Sequence, residues 1–285
     1  MSFRLEVFEA RSGKSVVQLE NLNGKETVLA IKKRIAQKRL TMPVERQSLR
    51  LDAKGKNLPN EKTLDELNLS ASNAQLFLKD LGPQIAWKTV FLLEYAGPLF
   101  LYPIFYYRPS ILYGTGASSS SVTKAVYLAL LCWSFHYAKR LFETVFVHRF
   151  SNATMPLLNL FKNCGYYWGF ASFIAFFVNH PSYSQPLFGS LQVYAGLALF
   201  CISEFGNLSI HILQRNLRPE GTRERNIPRS DGNPMSLLFN YVSCPNYTYE
   251  ILSWMAVWAI AKHRNYKKEF PDYPKNRKAI VPFLL

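Results

Sequence analysis

Apolar and polar residues alternate in short runs over residues 1–82, which predicts a small mixed α/β domain. Phe3, Leu5 and Val7 recur at every second position, which is typical of a half-buried strand. Thr27 is well placed to cap the N-terminus of a helix. The predicted elements are strands at about 3–8, 16–19, 47–51 and 75–79, a helix from Thr27 to about Gln37, and a short helix at Leu64–Leu67.

From residue 83 onward the chain carries four long apolar segments. Crossing a bilayer takes about 20 apolar residues, and a soluble all-helical core is the alternative for any single segment. Four in series, with Tyr and Trp near their ends, favour membrane spans. The segments are Ile85–Tyr107, Val122–Tyr137 (which can continue through Val147), Cys164–Val178 and Leu187–Phe205. We therefore predict a mixed fold, with the small domain at 1–82 and an α-helical, polytopic membrane domain at 83–285.

The distribution of charge divides the chain in nearly the same places. Residues 1–83 hold 15 Lys or Arg and 10 Asp or Glu, residues 84–205 hold 7 and 3, and residues 206–285 hold 12 and 6. The mean hydropathy of −0.05 is therefore an average over unlike parts. A basic chain can bind nucleic acid, anionic lipid or a phosphorylated small molecule, so the net charge of +15 does not decide between them.

The basic residues alternate between loops as the positive-inside rule requires. If the head is cytosolic, the loops at 108–121 and 179–186 lie on the far side of the membrane, and only Arg108 is basic there. The loops that return to the cytosol, at 138–163 and 206–229, are rich in basic residues, which are Lys139, Arg140, Arg149, Lys162, Arg215, Arg218, Arg223, Arg225 and Arg229. Membrane topology thus accounts for much of the charge, and we expect no nucleic-acid partner.

Motifs of soluble enzymes and metal sites do not occur in the sequence. The four Cys have no paired spacing, which excludes a disulfide scaffold and a CxxC zinc site. There is no GxGxxG, GxxxxGK[ST] or HExxH motif. The five His are scattered, so a di-iron cluster is not predicted, and we expect no metal ligands.

Two groups of polar residues lie inside or beside the predicted spans. Glu94 is in the middle of an apolar segment, where an ionisable residue is a functional candidate; its alternative is pairing with a nearby Lys for packing. His136 shares a helical face with Lys139 and with Arg140 at the end of the second span. An interfacial anchor belt is the alternative for that group.

Two further groups follow the fourth span. Asn207 and His211 are one helical turn apart, and Arg218 follows near the predicted end of that helix. Arg side chains bind phosphate oxygens through two donors, although a solvated basic loop is the alternative. The second group is Ser243–Glu250, where Pro245 is expected to break any helix and where Asn246, Tyr247 and Glu250 would line a cavity.

These motifs carry a family resemblance over nearly the whole chain. The head, including RQSLRLDAKGKNL, resembles ubiquitin in its β-β-α-β-α-β order, so the predicted head is a ubiquitin-like β-grasp domain. The C-terminal half is similar to the steroid 5-alpha-reductase superfamily, which reduces conjugated C=C bonds with NADPH. The chain as a whole resembles trans-2-enoyl-CoA reductases of very-long-chain fatty-acid elongation in the stretches VFLLEYAGPLF, SFHYAKRLFETVFVHRFS, TMPLLNLFKNCGYYWGF, GNLSIHILQRNLRPEG and VSCPNYTYEI.

The resemblance implies a reaction and a set of site residues. Hydride from NADPH would reach the β-carbon of the enoyl thioester, Tyr247 would donate to the thioester oxygen, and Lys139 would favour the phenolate. Glu94 and His136 would support this catalytic pair. The implied NADPH-binding residues are Asn207, His211, Arg218, Arg225, Asn246 and Glu250; His211 and Arg225 stand where the steroid enzymes carry Asp and Tyr.

The sequence departs from the family after Glu250. The apolar run Ile251–Ala261 has only 11 residues, whereas the family carries about 20 more, enough for another span. This chain therefore looks like a variant that lacks one span after residue 261, and we expect it to be unstable or poorly active.

The resemblance also implies a location and partners. We expect a multi-pass protein of the endoplasmic reticulum membrane with a cytosolic N-terminus. Its expected partners are trans-2-enoyl-CoA, membrane lipid and other elongation-cycle enzymes. The alternatives are a steroid or polyprenol reductase of the same superfamily, and a non-catalytic membrane scaffold that displays the ubiquitin-like head.

Overall fold

The computed structural model describes residues 3–69, 74–150, 153–184, 186–219 and 226–253. The chain forms two compact units. The first comprises residues 1–86 and 154–160, and the second comprises residues 87–153 and 161–285. The first unit therefore extends past the boundary predicted at residue 82.

The first unit contains a four-stranded mixed sheet that packs against an α-helix. Its strands are β1 (Phe3–Glu9), β2 (Ser15–Leu22), β3 (Gln47–Arg50) and β4 (Ala74–Asp80), in the order β2-β1-β4-β3. β1 and β4 are parallel and the other pairs are antiparallel. Helix α1 (Val28–Lys38) follows Thr27, whose hydroxyl accepts a hydrogen bond from the backbone N–H of Ala30. The β-grasp head and the Thr27 cap are confirmed.

Alternate side chains of the strands and the side chains on one face of α1 form the core of this domain. Leu5 and Val7 of β1 and Ile31 and Ile35 of α1 are fully buried, and they pack with Leu76 in a single cluster. Burial of each such side chain contributes about 1.5–3 kcal/mol. The short helix predicted at 64–67 is wrong, because this segment forms turns.

Two short strands complete the first unit. β5 (Gln84–Ala86) pairs antiparallel with β6 (Thr154–Pro156). Thr154 Oγ1 also donates a hydrogen bond to Gln84 Oε1 at 3.3 Å. These strands connect residues that are far apart in sequence.

The second unit is helical. Its helices are α2 (Trp87–Tyr106), the short α3 (Ser110–Tyr113), α4 (Lys124–Phe146), α5 (Leu157–Val178, which begins in the first unit) and α6 (Gly189–Asn216). α4 continues through the optional extension of the second apolar segment. α6 is longer than its segment, so Asn207 and His211 lie on the same helix as the apolar run that precedes them.

Aromatic side chains from α2, α4 and α5 form the core of this unit. Tyr102 stacks on Trp133 with ring centroids 4.7 Å apart, and the Trp133 indole donates to the carbonyl of Pro98 at 2.9 Å. Gly97 permits close packing of α2 and α5, because a Cβ at that position would lie 1.9 Å from the Trp168 indole.

The outward surface of these helices is apolar. Phe100 and Phe161 are 70% and 67% exposed. Within the described residues, α2 and α6 are the two helices that are long and apolar enough to cross a membrane. The other large apolar side chains exposed on the helices of this unit include Ile104, Phe135, Phe142, Phe146, Phe170, Phe173, Phe177, Ile202 and Phe205. This surface supports the membrane interpretation.

Arg108 holds together the segments at the end of α2. Its backbone φ of +50° lies in the left-handed region, and its side chain is 2% exposed. The guanidinium donates to the backbone carbonyl of Asn179 at 2.6 Å and to that of Ser120 at 3.2 Å. The single basic residue predicted for the far-side loops is therefore an internal hydrogen-bond donor.

We predict that Arg108→Lys destabilises the protein by about 1–3 kcal/mol, because an ammonium group lacks the planar fork and leaves a buried carbonyl unsatisfied. Unfolding of the detergent-solubilised chain measures the change. Arg4→Lys is the control, since that side chain is 62% exposed. Equal stability of the two variants would contradict the prediction.

Candidate active site

Charged side chains lie buried between α4 and α6, although both helices are largely apolar. Lys139 and Arg140 are 9% and 7% exposed, and Glu204 is 4% exposed. The charged ends of interfacial anchors would reach water, so burial disfavours the anchor-belt alternative. We call this cluster the polar core; its members are His136, Lys139, Arg140, Glu143, Glu204, Asn207 and His211.

Lys139 is at the centre of the polar core. Its ammonium donates to Asn207 Oδ1 at 2.7 Å. It lies 3.0 Å from Glu204 Oε2 and 3.3 Å from Glu143 Oε1. The other oxygen of Glu204 lies 2.8 Å from His136 Nδ1. A second hydrogen bond, to the backbone carbonyl of Glu204 at 3.5 Å, adds to these contacts, so the position of Lys139 is closely determined.

Arg140 and His211 share the second carboxylate. Arg140 donates to Glu143 Oε2 at 2.9 Å, and His211 Nδ1 lies 3.1 Å from the same oxygen. Arg140 also donates to the Tyr95 hydroxyl at 2.6 Å. The polar core thus contains two permanent cations and two carboxylates, and their charges balance.

A cavity of about 460 Å³ opens beside the polar core, near the C-terminal ends of α4 and α6. Arg149 and Arg218 face each other there, and each donates to the other's backbone carbonyl. Arg140 and Arg215 also line the cavity. Four guanidinium groups around one cavity suit a ligand that carries phosphate.

Aromatic rings form another wall of the cavity. Phe91 packs against Phe150 with centroids 5.4 Å apart, and His148 lies within 6.3 Å of both rings. All three side chains line the cavity. Flat rings beside guanidinium groups suit the base and the phosphates of a nucleotide.

The segment after α6 is tied to the polar core through Asn207. Its amide donates to the backbone carbonyl of Asn246 at 2.9 Å. Tyr247 follows, is 61% exposed and lines the cavity. The expectation that Pro245 breaks a helix is wrong, because residues 245–253 are helical and Pro is tolerated at a first helical position.

The structure brings most of the predicted site residues together. His136, Lys139, Asn207 and His211 belong to the polar core, and Asn246 is hydrogen-bonded to it. Tyr247 and Arg218 line the adjacent cavity with His211 and Asn246. Within the described residues, no hydrogen bond joins Tyr247 to Lys139, so their pairing stays a prediction.

Two of the predicted site residues lie elsewhere, and a third is not among the described residues. Glu94 is 3% exposed and interacts with the side chain of Asn163 on α5, and no ion pair with a Lys is found among the described residues. Glu250 is partly buried, is not among the cavity-lining residues and interacts electrostatically with Arg140. Arg225 lies outside the described residues.

Sequence reasoning missed the two carboxylates of the polar core. Residues 84–205 contain only three acidic residues, Glu94, Glu143 and Glu204. All three are buried. The argument that an ionisable residue in an apolar segment is functional was applied to Glu94 alone; applied to all three, it would have identified the polar core.

Glu143, His148 and His211 lie close enough to hold a metal ion. However, the Arg140 guanidinium already contacts the Glu143 oxygen that would bind the ion. His211 contacts the same oxygen. These groups suit an ion-pair network better than a cation site.

Burial lowers the pKa of His148 to about 4, and the nearby charge of Arg140 acts in the same direction. His148 is therefore neutral at neutral pH. As the pH falls from about 6.5 towards 4, the unfolded chain takes up a proton that the folded chain does not bind. The resulting contribution to stability is present above pH 6.5 and is lost in this window.

We predict that His148→Gln makes the melting temperature less sensitive to acid between pH 7 and pH 5. Melting temperatures of the solubilised protein at the two pH values measure this difference. His180→Gln is the control, since His180 is not among the cavity-lining residues. The same pH dependence in wild type and His148→Gln would contradict the prediction.

Family comparisons agree with both units. Residues 3–80 match the TECR ubiquitin-like domain, so the head is ubiquitin-like as predicted. Residues 153–257 and 255–285 match the family described as 3-oxo-5-alpha-steroid 4-dehydrogenase. Together with the helical fold and the polar core, this match defines a protein of the steroid 5-alpha-reductase superfamily.

Comparison with full-length relatives identifies the family within this superfamily. The chain is 61% identical to a Caenorhabditis elegans protein named "Probable very-long-chain enoyl-CoA reductase", over 100% of each chain. It is 45% identical to a Dictyostelium discoideum very-long-chain enoyl-CoA reductase over 99% of each. It is also 35% identical to human trans-2,3-enoyl-CoA reductase-like protein, over 99% of this chain and 84% of that one. The chain belongs to the very-long-chain enoyl-CoA reductase family.

Proposed function

We propose that the protein reduces trans-2-enoyl-CoA to saturated acyl-CoA with NADPH, as the last step of very-long-chain fatty-acid elongation. The observation that carries the proposal is the cavity lined by four Arg side chains and by Tyr247, directly beside a charge-balanced polar core. Membership of the enoyl-CoA reductase family supports the substrate class.

The residues present fit a phosphorylated dinucleotide. Arg149, Arg215 and Arg218 supply donors for its phosphates, and the aromatic wall can accept a flat base. NADPH supplies a hydride to the β-carbon of the substrate. The remaining predicted cofactor residues, which include Glu250 and Arg225, stay proposals.

The chain's own residues suit the rest of the reaction. Negative charge develops on the thioester oxygen as the β-carbon gains hydride, and the α-carbon then takes a proton. Tyr247 lies on the cavity wall and can donate a hydrogen bond to that oxygen. Lys139, His136 and Glu94 complete the proposed catalytic set; the polar core holds the first two in place.

NADPH oxidation by the purified chain tests the function directly. Consumption is expected with trans-2-enoyl-CoAs and should vary with acyl length. The same assay with a steroid enone and with a polyprenol substrate tests the alternative that the protein is a steroid or polyprenol reductase of the same superfamily. Consumption with no enoyl-CoA of any length would refute the proposal and leave the scaffold alternative.

We predict that Tyr247→Phe lowers kcat by about 100-fold or more, as loss of one donor to a developing oxyanion does. Tyr241→Phe is a matched control, because Tyr241 is 83% exposed and is not among the cavity-lining residues. A Tyr247→Phe enzyme with the wild-type kcat would exclude this role for the hydroxyl.

We further propose that residues 1–82 form a cytosolic domain and that residues 83–285 form a multi-pass reductase domain in the endoplasmic reticulum membrane. The apolar helix surfaces and the positive-inside pattern of the loops support this arrangement. Membrane lipid and other elongation-cycle enzymes are the proposed partners.

We propose that the reductase domain lacks one family segment. An alignment of 308 positions against 285 residues leaves at least 23 positions without a residue of this chain. The superfamily match also breaks into two pieces at 255–257. Both observations support the absence of one apolar span close to that point.

We predict that inserting the relatives' apolar segment after residue 257 raises specific activity and the yield of folded protein. A Gly/Ser linker of the same length is the control, because it adds residues without adding a span. Turnover of trans-2-enoyl-CoA and size-exclusion profiles measure the two effects. Equal activity of this chain and the restored chain would contradict the prediction.

A further inference from the structure

Glu143 is the most enclosed member of the polar core, since its side chain has no solvent exposure. It lies on α4 one turn after Lys139 and Arg140, and its carboxylate lies 3.3 Å and 2.9 Å from their charged groups. His211 approaches from α6 at 3.1 Å. One carboxylate therefore contacts three basic side chains.

These three partners serve different parts of the site. Lys139 donates to Asn207, whose amide holds the segment that carries Tyr247. Arg140 and His211 line the cavity with Tyr247, whereas Glu143 is not among the lining residues. Glu143 thus connects the two sides of the site without facing the cavity itself.

We propose that Glu143 is a positioning residue for the reduction, an inference that rests on the proposed function. It holds Arg140 and His211 against the cavity where NADPH would bind, and it fixes Lys139 at the same time. Neutralising it would leave the polar core with two permanent cations and one carboxylate, so repulsion would displace the cavity-lining side chains.

If Glu143 had only a structural role, its replacement would lower stability without a specific effect on NADPH binding. A variant at Thr144 provides the comparison. This residue is next in the chain, is 1% exposed, and its hydroxyl donates to the Arg140 carbonyl at 2.8 Å. Thr144→Val removes a buried hydrogen bond from the same turn of α4 and leaves every charge in place.

The experiment compares Glu143→Gln with Thr144→Val in the full chain. Glu143→Gln is expected to lower kcat/KM for NADPH by about 10- to 100-fold, as misplacement of site groups by about 1 Å does. Fluorescence titration should detect weaker NADPH binding by the same variant. Thr144→Val should bind NADPH as wild type does, even where its melting temperature falls equally.

If the Glu143→Gln variant fails to fold, Glu143→Asp tests the positioning role instead. It keeps the charge balance but shortens the reach to His211, so NADPH titration should weaken at a near-normal melting temperature. Wild-type NADPH affinity in the folded variants would overturn the inference, as would equal loss of affinity in Thr144→Val. Wild-type protein that neither binds NADPH nor turns over enoyl-CoA would instead refute the proposed function.

Discussion

The second unit depends on the mutual neutralisation of charges between α4 and α6. Two permanent cations, Lys139 and Arg140, lie buried with two carboxylates, Glu143 and Glu204. Removing one member of a buried ion pair costs about 3–5 kcal/mol, because its partner remains charged and unpaired. The four groups therefore require one relative placement of the two helices.

This requirement explains why the charged side chains of α4 and α6 are buried while their phenylalanine side chains are exposed. Since the polar faces of α4 and α6 meet each other, the apolar side chains on their other faces, such as Phe135 and Phe205, are exposed. Such a surface is stable in lipid and unfavourable in water. The same placement leaves a cavity at the helix ends, where the basic side chains beyond the polar core converge.

The sequence predicted the individual site residues better than the contacts between them. Spacing along a helix correctly placed Asn207 and His211 on one face, because helical periodicity is a local property. The pairing of Lys139 with Glu204 joins residues on different helices, and spacing within either helix carries no information about it. Pro245 was misjudged for the related reason that its effect depends on whether it begins a helix or interrupts one.

The contacts that join α4 to α6 differ in kind from those that hold the helix at 245–253. The ion pair of Lys139 with Glu204 and two contacts between His and carboxylate side chains hold α4 to α6. The described helix at 245–253 is tied to α6 by the hydrogen bond from Asn207 to Asn246 and a longer one from Gln214. Gly206 adds close packing, since a Cβ there would lie 2.6 Å from the Tyr249 ring. The placement of Tyr247 therefore rests on these hydrogen bonds, on the packing at Gly206 and on the interaction of Glu250 with Arg140.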